Sequence, residues 1–376
     1  MRSALIREIA RISALISETV MSSALVFGRA CLDARFQGPA ARVATTSTLA
    51  VVLAVSLANA LHLPEPWWAA ISGLMATQRS GADSVRRAIL RILGTIVGAG
   101  LGVMAISWIA YDMIACTLVL FAVALVGLIG ANVSRYAYAW LLIVVTFGLV
   151  VLPSLDAPPL ASVTAVYRVL EVTVGTVCAV GMALVLEPTP ALPPAVERGW
   201  SGLLGPQLDV TLYAIRWAVA VAMLPWLWRL FGVTGMTQMA VTLVAVLATP
   251  VASDPRDTNR QILTKGLQRL VGCAAGGVAG LALLGLGIDS TVPWLLSLAV
   301  PVWLFAYVAN GSHTATYVGT QAGVVLVMTL IQGHGPPTSL EPALDRLAGI
   351  FLGLLIVMAV VLLTTPPRRP ATAPSA

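Results

Sequence analysis

The sequence predicts an all-α polytopic membrane protein with about twelve transmembrane helices in two homologous six-helix halves. Three observations predict it: composition, the continuity of the apolar runs, and an internal repeat. Of 376 residues, 58% are hydrophobic and only 10% charged, against roughly 25% charged in an average soluble domain. Mean hydropathy is +0.91. A water-soluble fold of this size needs more polar surface to cover itself. In lipid the backbone must bond to itself, so the choice lies between helices and a closed barrel. Barrel strands alternate polar and apolar residues, whereas these runs are unbroken and rich in Ala, Leu, Val and Gly.

Residues 1–41 interleave Arg2, Arg7, Arg11, Arg29 and Arg35 with Glu8, Glu18 and Asp33. Leu5, Ile9, Ile12 and Ile16 recur at helical spacing, which reads as a cytoplasmic amphipathic helix lying in the interface rather than a cleaved signal. A segment of about 20 apolar residues spans a bilayer. The first half, 42–187, supplies candidates at 42–61, 66–79, 88–110, 113–131, 137–153 and 164–186. A Pro-rich cytoplasmic linker occupies 188–210. The second half, 211–366, supplies 211–231, 235–251, 265–287, 292–309, 315–332 and 344–364. The spans at 66–79 and 235–251 are short enough to stop at mid-membrane. Residues 367–376 read as a disordered cytoplasmic tail. With both termini inside, Arg79, Arg86, Arg87, Arg135, Arg198, Arg256, Arg260, Lys265, Arg368 and Arg369 are cytoplasmic, and Arg229 alone lies in an outer loop. That asymmetry predicts a multi-pass inner-membrane protein with N- and C-termini in the cytoplasm.

One pattern recurs four times: Arg91-Ile-Leu-Gly94-Thr-Ile-Val-Gly98, Arg168-Val-Leu-Glu171-Val-Thr-Val-Gly175, Arg269-Leu-Val-Gly272-Cys-Ala-Ala-Gly276 and Arg346-Leu-Ala-Gly349-Ile-Phe-Leu-Gly353. Arg91 precedes Arg168 by 77 residues, Arg269 precedes Arg346 by 77, and both pairs are offset by 178. The same offset maps Pro158-Pro159 onto Pro336-Pro337. This register points to tandem duplication of a six-helix unit. Parity then suggests 3+3 inverted repeats within each half, the architecture of many secondary transporters.

Gly94, Gly98 and Gly102 share one helical face, as do Gly272, Gly276 and Gly280. Small residues at that spacing let helices approach closely, so these six are assigned to helix packing. Two readings stand for Arg91, Arg168, Arg269 and Arg346. They snorkel to headgroups, or they form a ring of guanidiniums that binds a carboxylate substrate. Glu171 lies three residues from Arg168, as an intrahelical ion pair or as a proton-coupling carboxylate. Its counterpart in the other half is Gly349. The aromatic clusters Trp67-Trp68, Tyr136-Tyr138-Trp140 and Trp226-Trp228 read mostly as interface belts.

The net charge of +6 does not indicate nucleic acid, because the basic residues flank apolar runs. Cys31, Cys116, Cys178 and Cys273 form no CxxC, and His62, His313 and His334 have no metal-ligand spacing, so no metal or other cofactor is expected. Paired carboxylates, His clusters and Ser/His/Asp sets are lacking, so no catalytic residues are assigned and the chain is read as no enzyme. The phosphate-binding Gly-x-x-x-x-Gly-Lys-Ser/Thr is absent, which removes ATP as the energy source.

Trp67-Trp68-Ala-Ala, Gln78-Arg-Ser-Gly81, Arg86-Arg87 and Arg91-Ile-Leu-Gly94-Thr95-Ile-Val-Gly98 together resemble the fusaric-acid-resistance-like family. That family includes aromatic acid exporters and is related to the plant aluminium-activated malate transporters. The direct match covers about 45 residues, and the repeat extends it over 42–366. The resemblance implies export of aromatic or other organic carboxylates by secondary transport, in contact with the lipid bilayer and sometimes beside a periplasmic adaptor. Many family exporters carry a large cytoplasmic domain, where this chain has a linker of about 23 residues. An Arg-lined anion channel and a non-transporting scaffold subunit of an efflux or envelope assembly are the alternatives. A major-facilitator transporter ranks below them, since Gly81-Ala-Asp83-Ser-Val-Arg86-Arg87 has the wrong spacing for that family's loop.

Overall fold

The computed structural model describes residues 2–187, 199–201, 203–205, 207–232, 235–247, 249, 251–252, 254–337 and 339–364. Most of the Pro-rich linker, including Arg198, and the whole tail with Arg368 and Arg369 lie outside the described residues. Among those described the secondary structure is entirely helical. The helices are α1 Arg2–Leu32, α2 Pro39–Ala60, α3 Pro66–Ala76, α4 Gly81–Ile109, α5 Met113–Val133, α6 Ala137–Ser154 and α7 Ala161–Leu186. They continue as α8 Leu208–Ala222, α9 Leu224–Phe231, α10 Met236–Leu247, α11 Pro255–Leu284, α12 Thr291–Ala309, α13 Thr316–Leu330 and α14 Glu341–Thr364.

Local chemistry explains several boundaries. Pro39 and Pro66 open α2 and α3, where a missing N–H costs no helical bond. Ser80 caps α4, and the Asp112 carboxylate accepts from the Ile114 and Ala115 N–H groups to start α5. Pro225 lies just past Met223, where the expected span 211–231 breaks into α8 and α9.

Ten helices among the described residues are long and apolar enough to cross a membrane. Nine coincide with spans expected from sequence, counting α8 and α9 as one. The tenth, Ser13–Leu32, lies in α1, the segment read from sequence as interfacial. α1 and the connection after it pack on the second half: Phe27 of α1 meets Phe305 at 5.8 Å, and Phe36, past its end, stacks on Trp303 at 4.6 Å between ring centroids. The remaining three helices, α3, α10 and α13, have 11, 12 and 15 residues. At about 1.5 Å per residue each is shorter than the roughly 30 Å hydrocarbon layer.

The glycine seams show how the two halves are packed. A Cβ on Gly94 would meet the Ala139 carbonyl oxygen at 2.7 Å and Leu142 Cβ at 2.8 Å; one on Gly272 would meet the Val318 oxygen at 2.5 Å and Gln321 Cβ at 2.8 Å. Gly98 and Gly276 face the Ile143 and Ala322 carbonyls, and Gly102 and Gly280 face Val150 and Thr329. All six therefore sit in close helix-on-helix contact, α4 on α6 and α11 on α13. Partners on α6 and α13 differ by 179 positions, while the glycines differ by 178, so one residue is inserted between them. On α7 and α14, Gly175 packs against Ala69 and Ser72, and Gly353 against Met239 and Thr242. That sets α3 against α10 at an offset of 170, the connection after α10 being longer than the tight Thr77–Ser80 turn.

The first helix of each half crosses to the other. α2 packs on α12, with Trp303 Nε1 donating to Thr45 Oγ1 at 3.0 Å. α8 and α9 pack on α5, with Trp226 Nε1 donating to Thr117 Oγ1 at 2.7 Å. Between the halves α3 meets α13 and α10 meets α6. This is where the short helices leave space.

Candidate functional site

The motif arginines line two chambers between the halves. The central one, about 480 Å³, is walled by α3, α4, α6, α7, α10, α11 and α13. Five basic side chains line it, Arg87, Arg91, Arg168, Lys265 and Arg269, and no Asp or Glu does among the described residues. Arg91, Arg168 and Arg269 are only 5%, 7% and 4% exposed. They do not snorkel to a lipid surface.

The two halves furnish matching triads. Arg87 lies 4.1 Å from the Tyr138 ring centroid, and Arg91 Nη1 donates to Tyr138 Oη at 2.6 Å. Lys265 lies 5.3 Å from the Tyr317 centroid, with Arg269 beside it. Arg87 and Lys265, like Arg91 and Arg269, differ by 178 positions; Tyr138 and Tyr317 differ by 179, the shift already seen in the seams. Arg91 Nε donates to Ser72 Oγ at 3.2 Å, and Arg269 donates to Gln321 Oε1 and, at 3.2 Å, to Thr242 Oγ1. Neutral acceptors thus aim the guanidiniums without cancelling their charge. Trp67 Nε1, Arg87 Nε, Thr95 Oγ1, Arg168 Nε and Arg269 Nε are buried on this wall with no hydrogen bond to protein. Buried donors normally find an acceptor, and clustered cations in a low-dielectric pocket are unfavourable without a counter-charge. Leu141, Leu142, Val145, Leu149, Val241 and Val324 add apolar surface to the same wall, so cationic donors and aliphatic side chains face one space.

The second chamber is a vestibule of about 540 Å³ on the side where α7 begins. Glu171 lies ten residues into α7, about 15 Å along it. Arg168 Nη1 donates to Glu171 Oε2 at 2.8 Å, Arg168 Nη2 bonds Glu65, and the Glu65 backbone N–H donates to Glu171 Oε1 at 2.8 Å. The intrahelical pair expected from the i, i+3 spacing is present, with a second carboxylate that spacing alone does not show. In the other half Gly235 and Gly349 occupy these positions, so close that a Cβ on Gly349 would lie 2.7 Å from the Gly235 oxygen.

The four motif arginines do not form one ring. Arg91 and Arg269 face the central chamber, Arg168 touches both chambers, and Arg346 lines the vestibule alone. Trp67 and Trp68, read from sequence as interface aromatics, are 3% and 6% exposed and stand between the chambers. His62 and His334 come within 5.8 Å of each other between ring centroids, but no group of three metal-binding side chains occurs among the described residues. Sequence reasoning missed Arg87, Lys265, Tyr138 and Tyr317 as lining residues. The 178 offset between Arg87 and Lys265 was the available signal; the inserted residue hid the tyrosine pair.

An all-helical, multi-pass membrane protein with a buried cationic chamber between two similarly packed halves has the build of a membrane transporter. A model of the fusaric acid resistance protein-like family matches residues 51–182 and 255–360, and the chain belongs to that family. The two matched blocks fall one in each half. Comparison with curated proteins and with solved structures gave no match.

Proposed function

We propose that this protein is a secondary transporter that exports aromatic or other organic carboxylates across the inner membrane, with the central chamber as its substrate site. The observation that carries the reading is five basic side chains, three of them buried, facing a largely apolar cavity that no acid lines among the described residues. A carboxylate would accept from Arg91 and Arg269, one from each half, while the aliphatic wall takes the hydrophobic body. Glu171 is the proton-coupling group: a fully buried carboxylate whose arginine partner touches both chambers. The tryptophan pair that separates the chambers favours a carrier over an open Arg-lined pore. A periplasmic adaptor would meet the vestibule end, with both termini in the cytoplasm. The matched packing of α4 on α6 and α11 on α13 supports tandem duplication as its origin.

Counterflow in proteoliposomes tests this. Vesicles loaded with unlabelled benzoate should take up labelled benzoate faster than protein-free vesicles, and voltage alone should drive little flux. A large voltage-driven current without exchange would establish a channel instead, and neither exchange nor current across a panel of organic acids would favour the scaffold role.

A further inference from the structure

The two chambers share the residues that part them: Trp67, Trp68, Leu149, Arg168 and Gln238 line both. The indoles pack at 4.3 Å between centroids. Arg168 sits over Trp68 at 4.6 Å, and Arg346 sits over Trp67 at 4.6 Å. A guanidinium from each half thus clamps an aromatic pair carried by the half-length α3. The two clamps differ. Arg168 is held by Glu65 and Glu171. Among the described residues Arg346 bonds backbone carbonyls alone, Met328 at 2.5 Å and Ile331 at 3.1 Å, and forms no ion pair although Glu65 and Asp345 line the same vestibule. The cause is visible in the repeat, because the positions equivalent to Glu65 and Glu171 are Gly235 and Gly349.

We propose that Trp67 and Trp68 form a septum between two anion-accessible chambers, and that Arg346 is its releasable clamp. A carboxylate occupying the vestibule, the release side of an exporter, gives Arg346 an anionic partner, draws it from the face of Trp67 and so frees the septum to open for the exchange that counterflow reads. Arg168, already paired, stays as the fixed side. The trigger rests on the carboxylate-transport reading above; the septum itself does not.

The test places a cysteine at Val145, which lines the central chamber alone, in a full-length Cys31→Ser background. A membrane-impermeant anionic methanethiosulfonate reagent is applied from the vestibule face of sealed, oriented vesicles. Reaction should be slow, at least about tenfold faster with Trp67→Ala, and slow again with Trp67→Phe, which keeps an aromatic ring in place. Benzoate should accelerate it in the parent and leave the rate unchanged with Arg346→Gln. Equal rates in the parent and Trp67→Ala overturn the septum, whether or not benzoate is a substrate. Equal acceleration by benzoate with and without Arg346 overturns the clamp. Lack of acceleration in protein that shows benzoate counterflow also overturns it, whereas lack of counterflow marks failure of the transport reading and leaves the Trp67→Ala comparison decisive.

Discussion

Adding one methyl group at Gly276 should loosen the seam between α11 and α13. The new Cβ would fall well inside van der Waals contact with the Ala322 carbonyl oxygen, with Ala322 C and Cα both at 2.9 Å. These are backbone atoms, so no rotamer change relieves them, and one helix must move on the order of 1 Å. Overpacking of this kind costs about 1–3 kcal/mol. Helix propensity returns up to about 1 kcal/mol when Gly becomes Ala, leaving a net loss of roughly 0–2 kcal/mol, with the stiff backbone contact favouring the upper part. At about 2 °C per kcal/mol for a chain of this length, the midpoint should fall by about 2–4 °C. Gly98→Ala should behave alike, its Cβ meeting the Ile143 oxygen at 2.5 Å. Gly100→Ala is the control, because nothing lies within 4 Å of its Cβ; it should be neutral or slightly stabilising. Thermal unfolding of the three purified variants in one detergent, followed by tryptophan emission, makes the comparison. Midpoints for Gly276→Ala and Gly98→Ala equal to that of Gly100→Ala would refute the close-packed seam.

Arg91→Ala and Arg269→Ala should each reduce carboxylate counterflow by tenfold or more, whereas Arg86→Ala, one residue from the chamber-lining Arg87, should change it by less than twofold. Equal, small losses in all three would remove the chamber from the transport path. Glu171→Gln should preserve counterflow, which needs no net driving force, and abolish accumulation driven by a pH gradient; retained accumulation would show that coupling lies elsewhere. A cysteine introduced at Ser3 in the Cys31→Ser background should resist an impermeant thiol reagent applied to intact cells, as a cytoplasmic N-terminus requires. Ready labelling would show that Ser13–Leu32 crosses the membrane.

The membrane class and the helices were legible because lipid imposes a single demand, long runs without charge. The repeat was legible because Arg and Gly occupy positions where substitution is difficult: glycines at backbone contacts and guanidiniums on a buried wall. Three things were not. Trp67 and Trp68 resembled interface aromatics because composition says nothing about depth, and α3 is too short to carry them to a surface. The division of the arginines between two chambers depends on how α3 and α10 terminate inside the bundle. The Tyr138 and Tyr317 pair was hidden by a single inserted residue. The acids were half legible: the Glu171 and Arg168 pair follows from spacing, but Glu65 joins it from the connection that caps α3, 106 residues away in sequence.

Transport by this mechanism turns on an anion occupying the space between Arg91 and Arg269. A structure of the full-length protein with 4-iodobenzoate bound tests it directly, since iodine marks the ring and the carboxylate lies opposite. The iodine should lie among Leu141, Val145 and Val324, with the carboxylate within hydrogen-bond reach of both guanidiniums. Iodine found only at the lipid-facing surface, with the central chamber unchanged by the ligand, would contradict it.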